Sequence, residues 1–268
     1  MTHASGLASG HCLAYIVRLA APNLASYTQP SKRGQYVKPD IYLQCGDCLS
    51  LLQNLPDESV DLILIDPPYG INYLSRNKSL TTTRVANDGQ EAYSLLDKAL
   101  AIAVRKLKRN RHVLIFTNFQ AIEFMLPIVR KYLKIKGVCV WVKNNGTRGD
   151  LKGAWSRAHE EIIHAANGRP FLSGKRDLDV FEYKRVASQH MRHPTEKPVE
   201  LLKYLITKTT QPGDTILDFF AGSGSTGQAA QETGRRSILM ELVPELVEVA
   251  SERLGVLPME PDTVGVAA

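Results

Sequence analysis

The stretch that most constrains this chain is Leu62-Ile63-Leu64-Ile65-Asp66-Pro67-Pro68-Tyr69-Gly70. Val60 to Ile65 is short, partly β-branched and apolar but for Asp61, which predicts a buried strand. Two prolines stop it, because each lacks the N–H that a central strand must donate. Each proline also drives the residue before it out of the helical region. Asp66 is therefore expected at a strand's carboxyl end, on a stiff turn. The carbonyl of Pro67 lies in a restricted orientation beside it, and Tyr69 offers a flat face. Two acceptors and a stacking platform are what is needed to hold a planar amine.

A second motif lies far downstream. Thr215 to Phe220 reads as a strand, followed by Gly222-Ser223-Gly224-Ser225-Thr226-Gly227 and a helix, with Glu241 at the end of the next strand. This is formally a dinucleotide fingerprint: backbone approaches a ligand closely, and an acid meets ribose hydroxyls. An NAD enzyme is the competing reading. Such enzymes usually begin with this strand, whereas here it starts at residue 215 of 268, with too little chain left for a second mononucleotide half. The hydride reading also gives Asp66-Pro67-Pro68-Tyr69 no task.

Asp66-Pro67-Pro68-Tyr69 resembles the catalytic motif of amino-methyltransferases, and Thr215 to Gly227 resembles their cofactor motif. Catalytic motif first and cofactor motif last is the order of the β-group DNA amino-methyltransferases. The resemblance covers about residues 40–255. It implies S-adenosylmethionine as cofactor, held by Asp218, Phe220, Gly222, Ser223, Gly224 and Glu241, with Asp47 approaching the adenine. His193-Pro194-Thr195-Glu196-Lys197-Pro198 is similar to a family segment along the methionine part of the cofactor. His193, Thr195 and Lys197 are the residues this implies, with Lys197 in reach of the methionine carboxylate. Read structurally, Asp47 is equally a helix N-cap, and Thr195 with Pro198 equally a helix start. Asp66, Pro67, Pro68 and Tyr69 become the catalytic set for the exocyclic amine of a flipped-out base. Asp rather than Ser at position 66 favours adenine-N6 over cytosine-N4. RNA as substrate, and a non-enzymatic nucleic-acid-binding protein, are the remaining alternatives.

Charge distribution fits a polyanionic partner. Residues 130–192 hold fourteen Lys/Arg against six Asp/Glu, whereas residues 194–268 hold six against eleven. The excess positive charge sits in one middle segment, as in a DNA binder. Arg148, Lys152, Arg169, Lys175, Arg176, Lys184 and Arg185 are the candidate phosphate contacts. Lys106, Lys108, Arg109 and Arg111 are explained by the end of a helix, whose dipole favours cations. Four cysteines in 268 residues do not make a disulfide scaffold, which points to a reducing, cytoplasmic compartment. Cys45 and Cys48 lack a second pair for zinc. His159 and His164 are five apart and share no helical face, so no metal site is expected. No apolar run reaches membrane-spanning length. A cognate restriction endonuclease and a homodimer are the partners such a chain would take besides DNA.

Strands and helices alternate along the chain, which argues for a largely parallel sheet with helices on both faces. The resemblance makes this a Rossmann-like methyltransferase fold of about seven strands with permuted motif order. Helices are expected over 91–107, 121–132, 199–209, 226–232 and 244–254, the second flawed by Pro127. Thr195 is the expected N-cap of the third. Strands are expected over 41–44, 60–65, 112–117, 136–142, 160–166, 215–220 and 237–241, with Val180 to Tyr183 as a hairpin arm. Residues 1–39 form an extension, 40–255 the catalytic domain and 256–268 a frayed tail. Insertions at about 72–90, a polar flap after the catalytic motif, and 144–192 are assigned to DNA recognition.

Overall fold

The computed structural model describes residues 40–71, 86–146, 152–187, 191–192 and 195–259, all within one compact unit. Eight strands and six helices alternate there: β1 (Ile41–Cys45), α1 (Cys48–Gln53), β2 (Val60–Ile65), α2 (Glu91–Lys106), β3 (Leu107–Thr117), α3 (Ile122–Tyr132), β4 (Lys134–Val142), β5 (His159–Asn167), β6 (Val180–Glu182), α4 (Val199–Thr209), β7 (Thr215–Asp218), α5 (Ser225–Glu232), β8 (Arg236–Glu241) and α6 (Pro244–Leu254). None of these helices is long and apolar enough to cross a membrane.

One sheet contains all eight strands, one more than expected, in the order β1-β8-β7-β2-β3-β5-β4-β6. Every strand runs parallel to the others except β5, which is antiparallel to both β3 and β4. β2 lies near the middle and is covered on both faces, which is why it is apolar but for Asp61. Ile63 and Ile65 pack against α1, α2 and α3, and Leu62 and Leu64 against α4 and α5 on the opposite face. α6 covers Leu43 and Leu239 on the latter face. Asp61 is buried within β2 because Lys108 and Arg111 both reach it, each at 2.9 Å, and the Thr215 backbone N–H donates to it at 3.1 Å.

Several expectations are corrected. β3 begins at Leu107 rather than His112, so Lys108, Arg109 and Arg111 lie on a strand and do not cap α2. Two of them are there for Asp61. Pro127 stands inside α3, where Met125, Ile128 and Val129 anchor the helix in the core. The carbonyl that Pro127 leaves without a helix partner belongs to Glu123, an exposed residue. β6 is not a hairpin arm: it pairs parallel to β4, through Val140↔Val180, Trp141↔Phe181 and Val142↔Glu182. α4 starts directly after Pro198, which is extended at φ −67° and ψ 130°, so Thr195 is not its N-cap. The tail does not fray at once. The Met259 N–H donates to the Leu43 carbonyl at 2.7 Å and so extends the sheet edge beside β1.

Candidate active site

The strand order determines which side chains meet. β1, β8, β7 and β2 are neighbours and all point the same way, so the residues at their carboxyl ends form a row. That row is Asp47, Glu241, Asp218 and Asp66, and all four line one cavity of about 830 Å³. Open parallel sheets bind ligands at this edge. Because β5 runs the other way, its beginning rather than its end reaches the same edge. Glu160 pairs with Trp141 in the register of β4 and joins the cavity wall.

Asp66 follows β2 on the predicted stiff turn, with Pro67 and Pro68 buried behind it. Gly70 ends the turn at φ 73°, and a Cβ there would stand 2.9 Å from the Tyr93 ring. Only glycine permits both. The Tyr93 hydroxyl donates to the Tyr69 carbonyl at 2.8 Å, and the Gly70 N–H donates to Asp88 Oδ1 at 2.7 Å. The turn is thus braced by α2 and by the residues just before it.

Both carboxylate oxygens of Asp66 are engaged. The Tyr69 hydroxyl donates to Oδ1 at 2.6 Å, and the Lys197 ammonium donates to Oδ2 at 2.5 Å. Lys197 also lies 3.4 Å from Glu160 Oε2, and Lys143 binds Glu160 Oε1. Burial pushes the Asp66 carboxyl above its ordinary range, although Lys197 pulls against it. Burial acts on Glu160 too, but Lys197 and Lys143 hold it below the usual value. Burial opposes the Lys197 charge, yet Asp66 and Glu160 keep it above the ordinary lysine value. Lys197 thus lies on the cavity wall with its ammonium between the Asp66 and Glu160 carboxylates, a pairing that the resemblance did not imply.

On the other side of the row, Asp218 accepts the Phe220 N–H at 3.0 Å, and burial pushes its carboxyl up to about 7. Glu241 accepts the N–H groups of Gly222 at 2.8 Å and Val243 at 2.9 Å. Gly222 and Gly224 both have positive φ, at 52° and 80°. Gly224 approaches a helix rather than a ligand, since a Cβ there would stand 3.0 Å from the Ala250 Cβ on α6. Gly222, Ser223 and Phe220 do line the cavity. Asp47 caps α1 by accepting the Ser50 N–H at 3.0 Å, and lines the cavity as well. Arg253 binds Ser223 and Ser225 at 3.2 and 2.6 Å and forms a buried ion pair with Glu196. Thr195 and Lys197, either side of Glu196, line the cavity. His193, like Arg148 and residues 72–85 of the expected flap, lies outside the described residues.

The basic segment does not form one face. Arg185 lines the cavity, and its N–H binds Asn144 Oδ1 just past β4. Lys184 precedes it, and Lys152 lies on the loop from β4 to β5. Arg169 instead lies past the far end of β5, where its N–H binds Asn110 Oδ1. Lys175 is at the carboxyl end of α4, its carbonyl accepting from Lys208, with Arg176 next to it. These three stand at the edge of the sheet opposite Asp66. The sequence shows a run of charge, but the reversal of β5 splits it in space.

Glu160, Lys143, Tyr93, Asp88 and Arg253 were not legible as site residues. Glu160 is one of two adjacent acids at the start of β5, and nothing local sets it apart from Glu161. The other four meet the site through pairings across the fold that no local pattern announces.

Known proteins are similar to this chain in sequence and in fold. The family model described as DNA methylase, N6/N4 type, matches residues 60–252, which include both the Asp66 turn and the glycine loop. The chain is 33% identical over 210 residues to "Putative methylase YubD" of Escherichia coli (strain K12), covering 78% of this chain and 88% of that protein. It is 28% identical over 261 residues to the DNA adenine methyltransferase YhdJ of the same strain, covering 85% and 86%. In fold it is similar to the M1.HpyAVI–SAM complex, with a TM-score of 0.64 and 23% identity over 81% of this chain and all of that one. PvuII DNA methyltransferase, cytosine-N4-specific, gives a TM-score of 0.67 at 18% identity, covering 81% of this chain and 86% of that one. With the family match spanning most of the described sheet and the 33% identity extending over most of both chains, the protein belongs to the N6/N4 DNA methylase family.

Proposed function

We propose that the protein methylates the N6 amine of adenine in DNA, with S-adenosylmethionine as methyl donor. The observation that carries this reading is Asp66: a carboxylate at the carboxyl end of a central strand, facing a large cavity, with Tyr69 beside it. Its likeness to YhdJ supports adenine, as does Asp rather than Ser at this place in the family's motif.

The residues at hand fit the cofactor. Asp47, Asp218 and Glu241 present acceptors to ribose hydroxyls and amines, and their negative charge favours a cationic ligand. Phe220, Leu242 and Val243 line the same part of the cavity and offer apolar faces to a purine. Bound there, S-adenosylmethionine supplies an electrophilic methyl group.

The chain itself does the rest by positioning. The exocyclic nitrogen of adenine is a poor nucleophile, because its lone pair is delocalised into the ring. Asp66 and the Pro67 carbonyl accept its two N–H bonds, which favours a pyramidal nitrogen with density directed at the methyl group. A base within the duplex cannot reach this pocket, so it is flipped out, and Tyr69 stacks on it. Lys152, Lys184 and Arg185, on the cavity side, are the candidates for phosphate contacts.

The test is single-turnover methylation of DNA with labelled cofactor, followed by mapping of the modified base. Asp66→Asn keeps the size but loses the charge, and should lower the rate by about 10²–10³-fold, the loss typical of one removed charge-stabilising contact. Cofactor affinity should barely change. Methylated cytosine in place of adenine, or parental activity in Asp66→Asn, overturns the reading.

A further inference from the structure

The proposed function uses Asp66 but has no task for the charges behind it. Asp66, Lys197, Glu160 and Lys143 form a chain of two carboxylates and two ammonium groups, three of them at most 19% exposed. Their charges sum to zero. They come from four separate places: the turn after β2, the segment before α4, the start of β5 and the end of β4. Such a set is costly to bury unless each charge is matched.

We propose that Lys197 is a positioning residue for Asp66, holding it as a charged, fixed acceptor for the target amine, with Glu160 and Lys143 holding Lys197 in place. The inference rests on the reading of Asp66 as the acceptor. Lys197 is gripped from several sides. Besides Asp66 Oδ2 and Glu160 Oε2, its ammonium lies 3.4 Å from the Thr195 carbonyl and 5.1 Å from the centre of the Phe116 ring. Next to it, Glu196 is pinned by Arg253 to the serines of the glycine loop. The Tyr69 hydroxyl donates to Oδ1 and lies 3.4 Å from the Lys197 ammonium, a longer contact than the one Lys197 makes to Oδ2.

The two oxygens of Asp66 therefore differ. Oδ2 keeps Lys197, while Oδ1 is vacated when Tyr69 turns its ring to the base. An ammonium is donor-only, so it cannot itself receive the amine N–H. Its effect is on the carboxylate. In a dry pocket an unpaired carboxyl takes up a proton and presents a donor to a donor. The groups facing Asp66 are Tyr69 on its own turn, Lys197 before α4, Glu160 on β5 with Lys143 behind it on β4, and Asp218 on β7, which feels the Asp66 charge. Among the described residues Lys197 is the one cation in direct contact with Asp66, opposed by two carboxylates and burial.

The experiment is the pH profile of single-turnover methylation, with cofactor affinity by calorimetry and melting in parallel. Lys197→Met should move the acidic limb upward by about 1–3 pH units, the usual effect of one adjacent opposite charge on an Asp, and recover much of its rate at high pH. Lys197→Arg should leave the limb near its parental place. Cofactor affinity should hold in both. Should Lys197→Met not fold, Lys197→Gln carries the same test, since it keeps a donor but no charge. A rate lost equally at every pH, or a loss of cofactor affinity in proportion to activity, overturns the proposal and returns Lys197 to the methionine carboxylate or to a structural role. Asp66→Asn in the same assay separates the two failures. If it is active, the reading of Asp66 fails. If it is inactive while the Lys197→Met profile parallels the parent, only the role of Lys197 fails.

Discussion

The Tyr69 hydroxyl donates to Asp66 Oδ1 across 2.6 Å, so the residue proposed to stack on the base covers the oxygen proposed to accept the substrate amine. The two functions of Tyr69 are then separable. Tyr69→Phe keeps the ring and uncovers Oδ1, so methylation should stay within about tenfold of the parent. Tyr69→Ala removes the platform and should lose roughly 1–3 kcal/mol of base stacking. Fluorescence of 2-aminopurine at the target position reports the stacked, flipped base directly. Equal losses in the two variants would mean that the hydroxyl itself is required.

The separation of the basic residues predicts unequal salt effects. Lys184→Gln with Arg185→Gln, on the cavity side, should flatten the dependence of log affinity on log salt by about two phosphate contacts, each worth roughly 0.9. Arg169→Gln with Lys175→Gln, at the opposite edge, should leave the slope unchanged. Titrations of one duplex at several salt concentrations decide it. The same slope change in both pairs would mean that DNA reaches both edges of the sheet.

Asp61 is buried while its partners Lys108 and Arg111 are 39% and 37% exposed. Removing the carboxylate lets both cations return to water but leaves the Thr215 N–H without its acceptor. Asp61→Ala should therefore cost about 2 kcal/mol, nearer an unsatisfied donor than a stranded buried charge. Urea unfolding measures it. A loss near zero would show that the pair contributes nothing net.

Burial raises the Asp218 carboxyl to about 7 in the folded chain. Its unfolded value is about 3.9. Between these values the folded state binds a proton that the unfolded state releases, so this group's contribution to stability falls as pH rises through that window. Asp218→Asn removes the effect. Measured without cofactor, the stability of Asp218→Asn relative to the parent should increase from pH 4 to pH 8, and chemical denaturation at several pH values tests the sign. A difference independent of pH would mean that Asp218 is ionised throughout at no cost.

The sequence by itself determined the turn that carries Asp66, the glycine loop and the largely alternating α/β pattern. Each is a local matter: prolines end a strand, positive φ selects glycine, and apolar periodicity selects helix or strand. Asp66 and Glu241 could be placed at strand ends for the same reason. Local pattern could not show which strand ends are neighbours, and that decided the site. The order β1-β8-β7-β2 lines up Asp47, Glu241, Asp218 and Asp66, although β8, the last of these strands in sequence, lies far from β1 in the chain. The reversal of β5 brings Glu160 to the catalytic edge and sends Arg169 to the other, a distinction invisible in a run of charges. Lys197 was placed by resemblance on the cofactor and by tertiary structure on Asp66, 131 residues away. A buried charge goes where its counter-charges are, and only the packed sheet brings those together.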